Sequence, residues 1–559
     1  MRKGIAVLLS FCLILVLATG TAFAADSSVD FLGVLSPSTT KRSGNFYVSA
    51  DQTAGLPGNV HLDLDRTGAE GVLYLPGGAD TKALRLSWKD EGVTLERNGK
   101  TYKSGKAPIA EAGKSIQYRV YRGDKTTLLT IHTLRGSADI SPMFLNLDES
   151  LGTIEAMNGD KAHETSCYGT VRFDGSKKPV SIKGRGNSTW SFNKKPYNIT
   201  LYRDKNYDDT KKAELIPGVK AKKWSLVANY FDNSLMRNKI AMDLSKELGI
   251  GLSARFVDLY MNGEYLGNYL LTPKNDYAAP DTGYALENDN YYEPDNPDQF
   301  AIPGMFEIGT VTGDTGYYNR MTVKDIGKEA EAKGTDVASI EKHFLKAWDA
   351  LEDYDSERYQ DYFDLDSWAK MYLMYEVSKT YDCFSGSLLM HRDGLTKSDK
   401  LIAGPAWDYD VSFGRTLHKF FVGVSEPLQV SAEGWYNDGI GLEAVDEPVS
   451  LLQELGRHES FRAAVKNVYR EYQNAFTGLE TNVERQRTVL RDSALMNNAK
   501  WGTDSLCADY LIAPNTMRAI GTGKYRLEYE VTVTWDNYVN NLKEYCQKRV
   551  LWLDDNLLA

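Results

Sequence analysis

The spacing of apolar residues changes character along this chain, and that change limits the folds open to it. Residues 29–133 contain the runs HLDLD, GVLYL, ALRLSW, GVTLERNGKTY and IQYRVYRGDKTTLLTI, which alternate apolar with polar positions between turn signals. A period of two buries one face of a pleated strand, so this region predicts an all-β, β-sandwich-like unit. Asn98-Gly99 predicts a hairpin within it, because a type I′ turn needs positive φ at both central residues. Beyond about residue 326 the period lengthens. SIEKHFLKAWDALEDY, DSWAKMYLMYEVSKTY, PVSLLQELGRHESFRAAVKNVYREYQNAF and YVNNLKEYCQKRVLWLDDNLL place apolar residues three and four apart. That spacing predicts helices with one buried face, and Trp368, Met371, Tyr372 and Tyr375 make one such core stripe.

Between these halves the structure is mixed. MFLNLD, GTVRFDG, VSIKG, PYNITLY and WSLVAN read as strands. Met236, Ile240, Leu244 and Leu248 recur at helical spacing after a cap at Asp232 or Ser234, and Gly249 ends the helix. RFVDLYM and EYLGNYLL follow, joined at Asn262-Gly263 as a second hairpin. Residues 273–325 are rich in Asp, Asn, Tyr and Gly and read as a long ornamented loop; its acids lack the spacing of a calcium loop.

The first residues, MRKGIAVLLSFCLILVLATGTAFAADSS, combine a basic start, an apolar run over 5–18 and the small-x-small ending Ala22-Phe23-Ala24, which describes a secretory signal peptide over 1–24. No later apolar run approaches the roughly 18–20 residues a membrane span needs. The expectation is a secreted or cell-surface protein divided into 25–140 and 141–559. Cys167, Cys383, Cys507 and Cys546 are too dispersed for a stapled mini-domain or a CxxC metal site, leaving a Cys507–Cys546 bridge and buried free thiols both open. A formal net charge of −11 argues against nucleic acid as a partner. The 7 His residues fall into no HExxH, HxH or Cys/His pattern, so a zinc centre or a His-dependent hydrolase has little support.

Two stretches suggest phosphate chemistry. Lys183-Gly184-Arg185-Gly186-Asn187-Ser188-Thr189-Trp190 places glycines, a guanidinium and hydroxyls where backbone can approach an anion closely. Alone it is more often a β-turn. Farther on, Asp382 follows the apolar helical stripe, and Gly404-Pro405-Ala406-Trp407-Asp408-Tyr409-Asp410 precedes Val411-Ser412-Phe413-Gly414. Phosphoryl transfer needs one acid to orient the accepting hydroxyl and others to hold Mg²⁺ against the phosphates. Alternation along Asp408-Tyr409-Asp410 predicts both acids on one face of an extended segment. Each acid taken singly also fits a structural role, as a loop cap or an ion-pair partner.

GRGNSTW, then KKPYNITL, KKWSLVANYFDNSLMRNKIAMDLSKELG and AGPAWDYDVSFG, occur in an order that resembles the spore-coat CotH family of secreted atypical protein kinases. The resemblance runs from about residue 143 to the end and leaves the N-terminal β-region outside. It implies an α+β, kinase-like bilobal fold, with an N-lobe at about 141–272, an insertion at 273–325 and a helical C-lobe at 326–559. It also implies ATP and Mg²⁺ or Mn²⁺ as cofactors and Ser/Thr of secreted or surface proteins as acceptors. Carried onto this sequence, it makes Asp382 the base or hydroxyl-orienting residue and Asp408 the first metal ligand, with Asp410 assisting. Ser387 stands where ordinary kinases carry a metal-binding Asn, a departure that favours one-metal use or a water-mediated contact. Gly184, Arg185, Gly186 and Asn187 match the phosphate-covering loop, with Lys195 and Arg237 as its cations; Lys183, Lys194 and Lys223 are rivals nearby. The alternatives are a non-catalytic coat or surface assembly protein of the same fold, and a polysaccharide-binding surface protein working through residues 25–140. Two paired acids also serve glycoside hydrolases, but the motif order does not favour that reading.

Overall fold

The structure is a computed structural model and describes residues 40–65, 67–186, 188–274, 281–288, 304–308, 320–380, 386–396, 399–414, 431–437, 451–501 and 535–558. Asn187, Asp382, Cys383 and Cys507 lie outside the described residues.

The N-terminal alternation becomes strands β1 (Thr40–Val48), β2 (Val60–Asp65), β3 (Glu70–Leu75), β4 (Arg85–Trp88), β5 (Val93–Arg97), β6 (Lys100–Tyr102), β7 (Ala107–Pro108), β8 (Lys114–Arg122) and β9 (Lys125–Arg135). They are hydrogen-bonded as one nine-stranded sheet, in the order β6-β5-β8-β9-β3-β2-β1-β4-β7, where the sequence suggests two facing sheets. Continuity comes from two features invisible to alternation: β3 and β9 pair in parallel, and β1 carries a register shift between Ser43 and Tyr47 while pairing with both β2 and β4. Asn98 and Gly99 have φ of 54° and 74°, as the hairpin between β5 and β6 demands.

β10 (Ser141–Leu147), β11 (Ser166–Phe173), β12 (Ser176–Gly184), β13 (Tyr197–Leu201), β16 (Lys223–Val227), β17 (Arg255–Met261) and β18 (Glu264–Pro273) close into a seven-stranded barrel, and β14 (Ala213–Ile216) with β15 (Val219–Ala221) forms a separate hairpin. The barrel closes through the parallel pairing of β10 with β17, Met143 opposite Leu259. Inside it, Val180, Ile182, Ile199, Trp224, Leu226, Leu259 and Leu271 are fully buried. Helix α1 (Ile154–Gly159) lies between β10 and β11, and α2 (Arg237–Glu247) follows β16. As expected, Met236, Ile240, Leu244 and Leu248 form the buried face of α2, and Gly249 takes φ of 80° after it.

Part of the expected loop over 273–325 instead forms strands. β19 (Tyr284–Asn288), β20 (Met305–Glu307) and β21 (Arg320–Ile326) join β22 (Leu389–Arg392) and β23 (Leu401–Ala403) in a five-stranded sheet ordered β20-β21-β19-β22-β23. Tyr284, Leu286 and Met321 bury their side chains against the helices, and the polar stretches between these short strands mask the signal in the sequence.

The rest is helical: α3 (Lys328–Ala332), α4 (Val337–Leu351), α5 (Leu365–Ser378), α6 (Leu451–Arg457), α7 (Glu459–Glu471), α8 (Gln473–Thr477), α9 (Leu479–Trp501) and α10 (Trp535–Leu557). The central helix α5 starts where the Asp364 side chain accepts the Ser367 N–H and is buried nearly all round, Trp368, Met371, Tyr372 and Tyr375 included. No described helix is long and apolar enough to cross a membrane.

Helix α9 ties the parts together. Met496 and Ala499 pack with Phe144, Tyr260 and Tyr265 into the core of the N-terminal sheet, where Tyr74 stacks on Tyr265 at 5.0 Å. Lys500 pairs with Asp63 and Glu264, and Asn497 Oδ1 accepts from the buried Lys194 ammonium at 2.8 Å. Cys167 and Cys546 are buried free thiols.

Candidate functional site

The glycine loop connects β12 to β13, whose last paired residues are Gly184 and Tyr197. Both described glycines are dictated by space and backbone. A Cβ on Gly184 would lie 2.5 Å from the Trp190 ring and 2.6 Å from His163 Nδ1. Gly186 has φ of 83°, and a Cβ there would meet Thr189 Oγ1 at 2.5 Å. Between them Arg185 donates its N–H to the Pro196 carbonyl at 3.3 Å and sends its guanidinium over the Trp407 ring, 5.5 Å from the centroid. Burial lowers the Arg185 pKa, while the charges of Asp408 and Asp410 oppose the shift. The guanidinium therefore faces the carboxylate loop.

That second loop follows β23 and is fixed from four directions. Ala406 N–H donates to the Ile250 carbonyl at 2.9 Å, and Tyr409 N–H to Asn238 Oδ1 at 2.8 Å. Phe413 N–H donates to the Ser378 carbonyl at the end of α5, and the Ser412 carbonyl accepts from Arg237 Nε at 2.8 Å. Asp408 adopts φ of 65°, so the segment is not the extended strand that alternation suggests. Left-handed backbone at Asp408 turns the chain there, which lets Tyr409 bury completely while Asp408 stays partly exposed and Asp410 sits at 6% exposure. Both carboxylates nonetheless share the Arg185 field.

The other expected residues are held by protein groups. Arg237 is fully buried: its Nη1 pairs with Asp232 at 2.6 Å, and its own N–H donates to the second Asp232 oxygen at 2.7 Å. It clamps the start of α2 to the carboxylate loop. Lys195 donates to the Trp190 carbonyl and lies 4.9 Å over the Trp190 ring, where burial lowers its pKa. Its rival Lys194 is 1% exposed and donates to the carbonyls of Ala228 and Asn268 besides Asn497, with burial lowering its pKa to about 7. Ser387, half-buried at φ of 62°, precedes Leu388, whose N–H is held by Asn288 Oδ1 at 2.8 Å.

The approach to Asp382 is described as far as Thr380. Lys379, in left-handed conformation after α5, donates to the Glu433 carbonyl at 2.6 Å; burial, then the nearby Arg549, brings its pKa to about 7. Thr380 Oγ1 donates to the Asp408 carbonyl at 3.4 Å, and its own carbonyl accepts the Tyr436 hydroxyl at 2.8 Å. Behind them Glu376 and Arg549, both fully buried, pair at 2.7 Å. Glu376 also accepts the N–H groups of Tyr436 and Asn437, and Arg549 donates to the carbonyls of Glu376, Ala432 and Gly434.

Sequence reasoning missed two contributors, Trp407 and Asn238, and gave Asp232 only as a cap candidate, where the cap position is Met236. Trp407, given no role of its own in the sequence motif, carries the Arg185 guanidinium; its place next to Asp408 was the available signal. Asn238 and Asp232 flank Arg237 in sequence and brace the carboxylate loop and the helix start. Among the described residues, no group of three or more His, Cys, Asp or Glu side chains converges as a metal site. Asp408 and Asp410 offer hard carboxylate oxygens, the donor chemistry that Mg²⁺ accepts when water and phosphate complete its shell.

The family model described as CotH kinase protein matches residues 182–553, from the end of β12 through most of α10. Inner spore coat protein H of Bacillus subtilis (strain 168) is 26% identical over 242 residues, or 43% of this chain. The chain spans 60% of that relative's length. A DUF4623 family protein from Bacteroides eggerthii DSM 20697, of known crystal structure, is 11% identical over 34% of this chain and 53% of its own; its TM-score of 0.13 is too low to indicate a shared fold. With the family model spanning well over half of its length, and the glycine and carboxylate loops both inside the match, this chain belongs to the CotH kinase family.

Proposed function

We propose that the protein is a kinase-like, bilobal enzyme of the exported CotH type that transfers the γ-phosphate of ATP to Ser or Thr of secreted or surface proteins. One observation supports this reading: Arg185 of the glycine loop lies over Trp407 and feels the charges of Asp408 and Asp410, so the two motifs meet from distant parts of the chain. In it Asp408, the more exposed acid, and Asp410 would hold Mg²⁺, which when bound neutralises phosphate charge. Arg185 would bind phosphate oxygens, and the amides at Gly184 and Gly186 would line the triphosphate. Asp382 would orient the acceptor hydroxyl, on a segment whose entry is fixed by the Thr380 contacts to Asp408 and Tyr436. Ser387 serves as an outer, water-mediated contact in this reading. Arg237 acts through Ser412 by holding the carboxylate loop.

A second reading, a non-catalytic coat or surface assembly protein, draws on Lys195 and Arg237, two expected phosphate cations that already have protein partners. Titration of the full exported chain with ATP, with and without Mg²⁺, followed calorimetrically, tests the site. The enzyme reading expects Mg²⁺-dependent binding that Asp408→Asn weakens. Absence of binding in both proteins favours assembly. Binding of polysaccharide to the nine-stranded sheet region is a separate proposal, tested by pull-down on insoluble glycans with the full chain.

A further inference from the structure

The loop after α1 approaches the glycine loop through His163. Asp160 accepts the N–H groups of Ala162, Glu164 and Thr165 at 2.6–2.9 Å, which fixes that loop and lifts His163 at its apex, with φ of 58°. The imidazole stands edge-on to Trp190, ring centres 4.6 Å apart, and Nε2 lies 2.7 Å from the Gly186 carbonyl oxygen. A carbonyl only accepts, so Nε2 carries the proton and donates. Nδ1 is buried without a hydrogen-bond partner among the described residues and packs where a Cβ on Gly184 would otherwise stand. One ring thus touches the backbone on both sides of Arg185.

We propose that His163 is a positioning residue of the glycine loop: by donating Nε2–H to the Gly186 carbonyl and packing on Gly184, it sets the loop conformation from which Arg185 meets phosphate. The phosphate part rests on the function proposed above; the loop-holding part does not. With the Gly186 carbonyl tied to His163, the peptide at Gly186 is fixed in orientation, and the left-handed turn is held by a contact from outside the hairpin.

The test uses the full exported chain as wild type, His163→Ala and His163→Gln, the last keeping a donor of comparable reach. Trypsin cuts after Lys183 and Arg185, so the rate of appearance of these cuts, read by mass spectrometry, reports loop opening without any ligand. The expected result is cleavage accelerated on the order of tenfold in His163→Ala, the factor for one hydrogen bond of about 1.4 kcal/mol, and largely restored in His163→Gln. Equal rates in all three proteins overturn the proposal. In the same proteins, KM for ATP should rise about tenfold in His163→Ala while kcat and the melting temperature change little. If the wild type binds ATP and His163→Ala binds it equally well, the positioning role is refuted; if the wild type binds none, the enzyme reading fails and the tryptic result alone decides the role of His163.

Discussion

Replacing Glu376 by Ala should cost about 3–5 kcal/mol of folding stability, the usual loss when one partner of a buried ion pair is removed. The figure follows from what is left behind. Arg549 is fully buried and would keep three carbonyl acceptors, at Glu376, Ala432 and Gly434, but no counter-charge. The N–H groups of Tyr436 and Asn437 would also lose their acceptor, each a further penalty of about 1–3 kcal/mol where water cannot replace it. Relaxation of the 431–437 segment recovers part of this, which is why the lower range is the expectation. The double variant Glu376→Leu with Arg549→Met should lose less than the sum of the two single changes, because it strands no charge. Urea unfolding followed by tryptophan fluorescence provides the measurement, with midpoints compared at equal slope. A loss under about 1 kcal/mol for Glu376→Ala would refute the role given to the pair.

Three further outcomes follow from the same structure. Burial raises the Asp258 pKa to about 6 against hydrogen bonds from Ser493 and Asn268 and the charge of Lys194, so the folded state holds a proton that the unfolded chain releases near 3.8. Its contribution is therefore present at low pH and lost as pH rises through about 6; relative to Asp258→Asn, the wild type should lose on the order of 2–3 kcal/mol between pH 4 and pH 6.5 in urea titrations, and parallel curves would contradict this. Arg185→Lys keeps the charge but loses the guanidinium that lies over Trp407, so in the proposed kinase reading affinity for Mg·ATP should fall about tenfold by calorimetry, with the fold intact by circular dichroism. Burial pushes the Cys546 thiol up to about 12 and also raises that of Cys167, so peptide mapping should find both unlabelled by iodoacetamide at pH 8 in the folded protein and labelled in urea.

Local features of this fold were legible because short-range sterics dictate them. Asn98-Gly99 and Asn262-Gly263 both take the positive φ that their hairpins require, and the buried stripe on α5 follows directly from helical spacing. Long-range pairings were not, since alternation says which face of a strand is buried and nothing about its neighbour. Closure of the barrel through β10 and β17, and the single sheet made by β3 and β9, are both parallel pairings between segments remote in sequence. In the site, the residue types and their order were readable, but not the partners. Arg237 and Lys195 look like free cations in the sequence; only folding reveals Asp232 beside one and the Trp190 carbonyl beside the other. The left-handed Asp408 was hidden for a related reason, because the hydrogen bond that fixes the next residue comes from Asn238 on α2.

The most direct measurement is transfer of labelled γ-phosphate from ATP, with Mg²⁺ or Mn²⁺, to the chain itself and to a Ser-rich acceptor, comparing wild type with Asp408→Asn. Metal-dependent labelling by the wild type that falls at least about a hundredfold in the variant is the expected result. Labelling by neither protein, together with no nucleotide-induced rise in melting temperature, would contradict the enzyme reading and leave the Arg185–Trp407 contact as a purely structural brace.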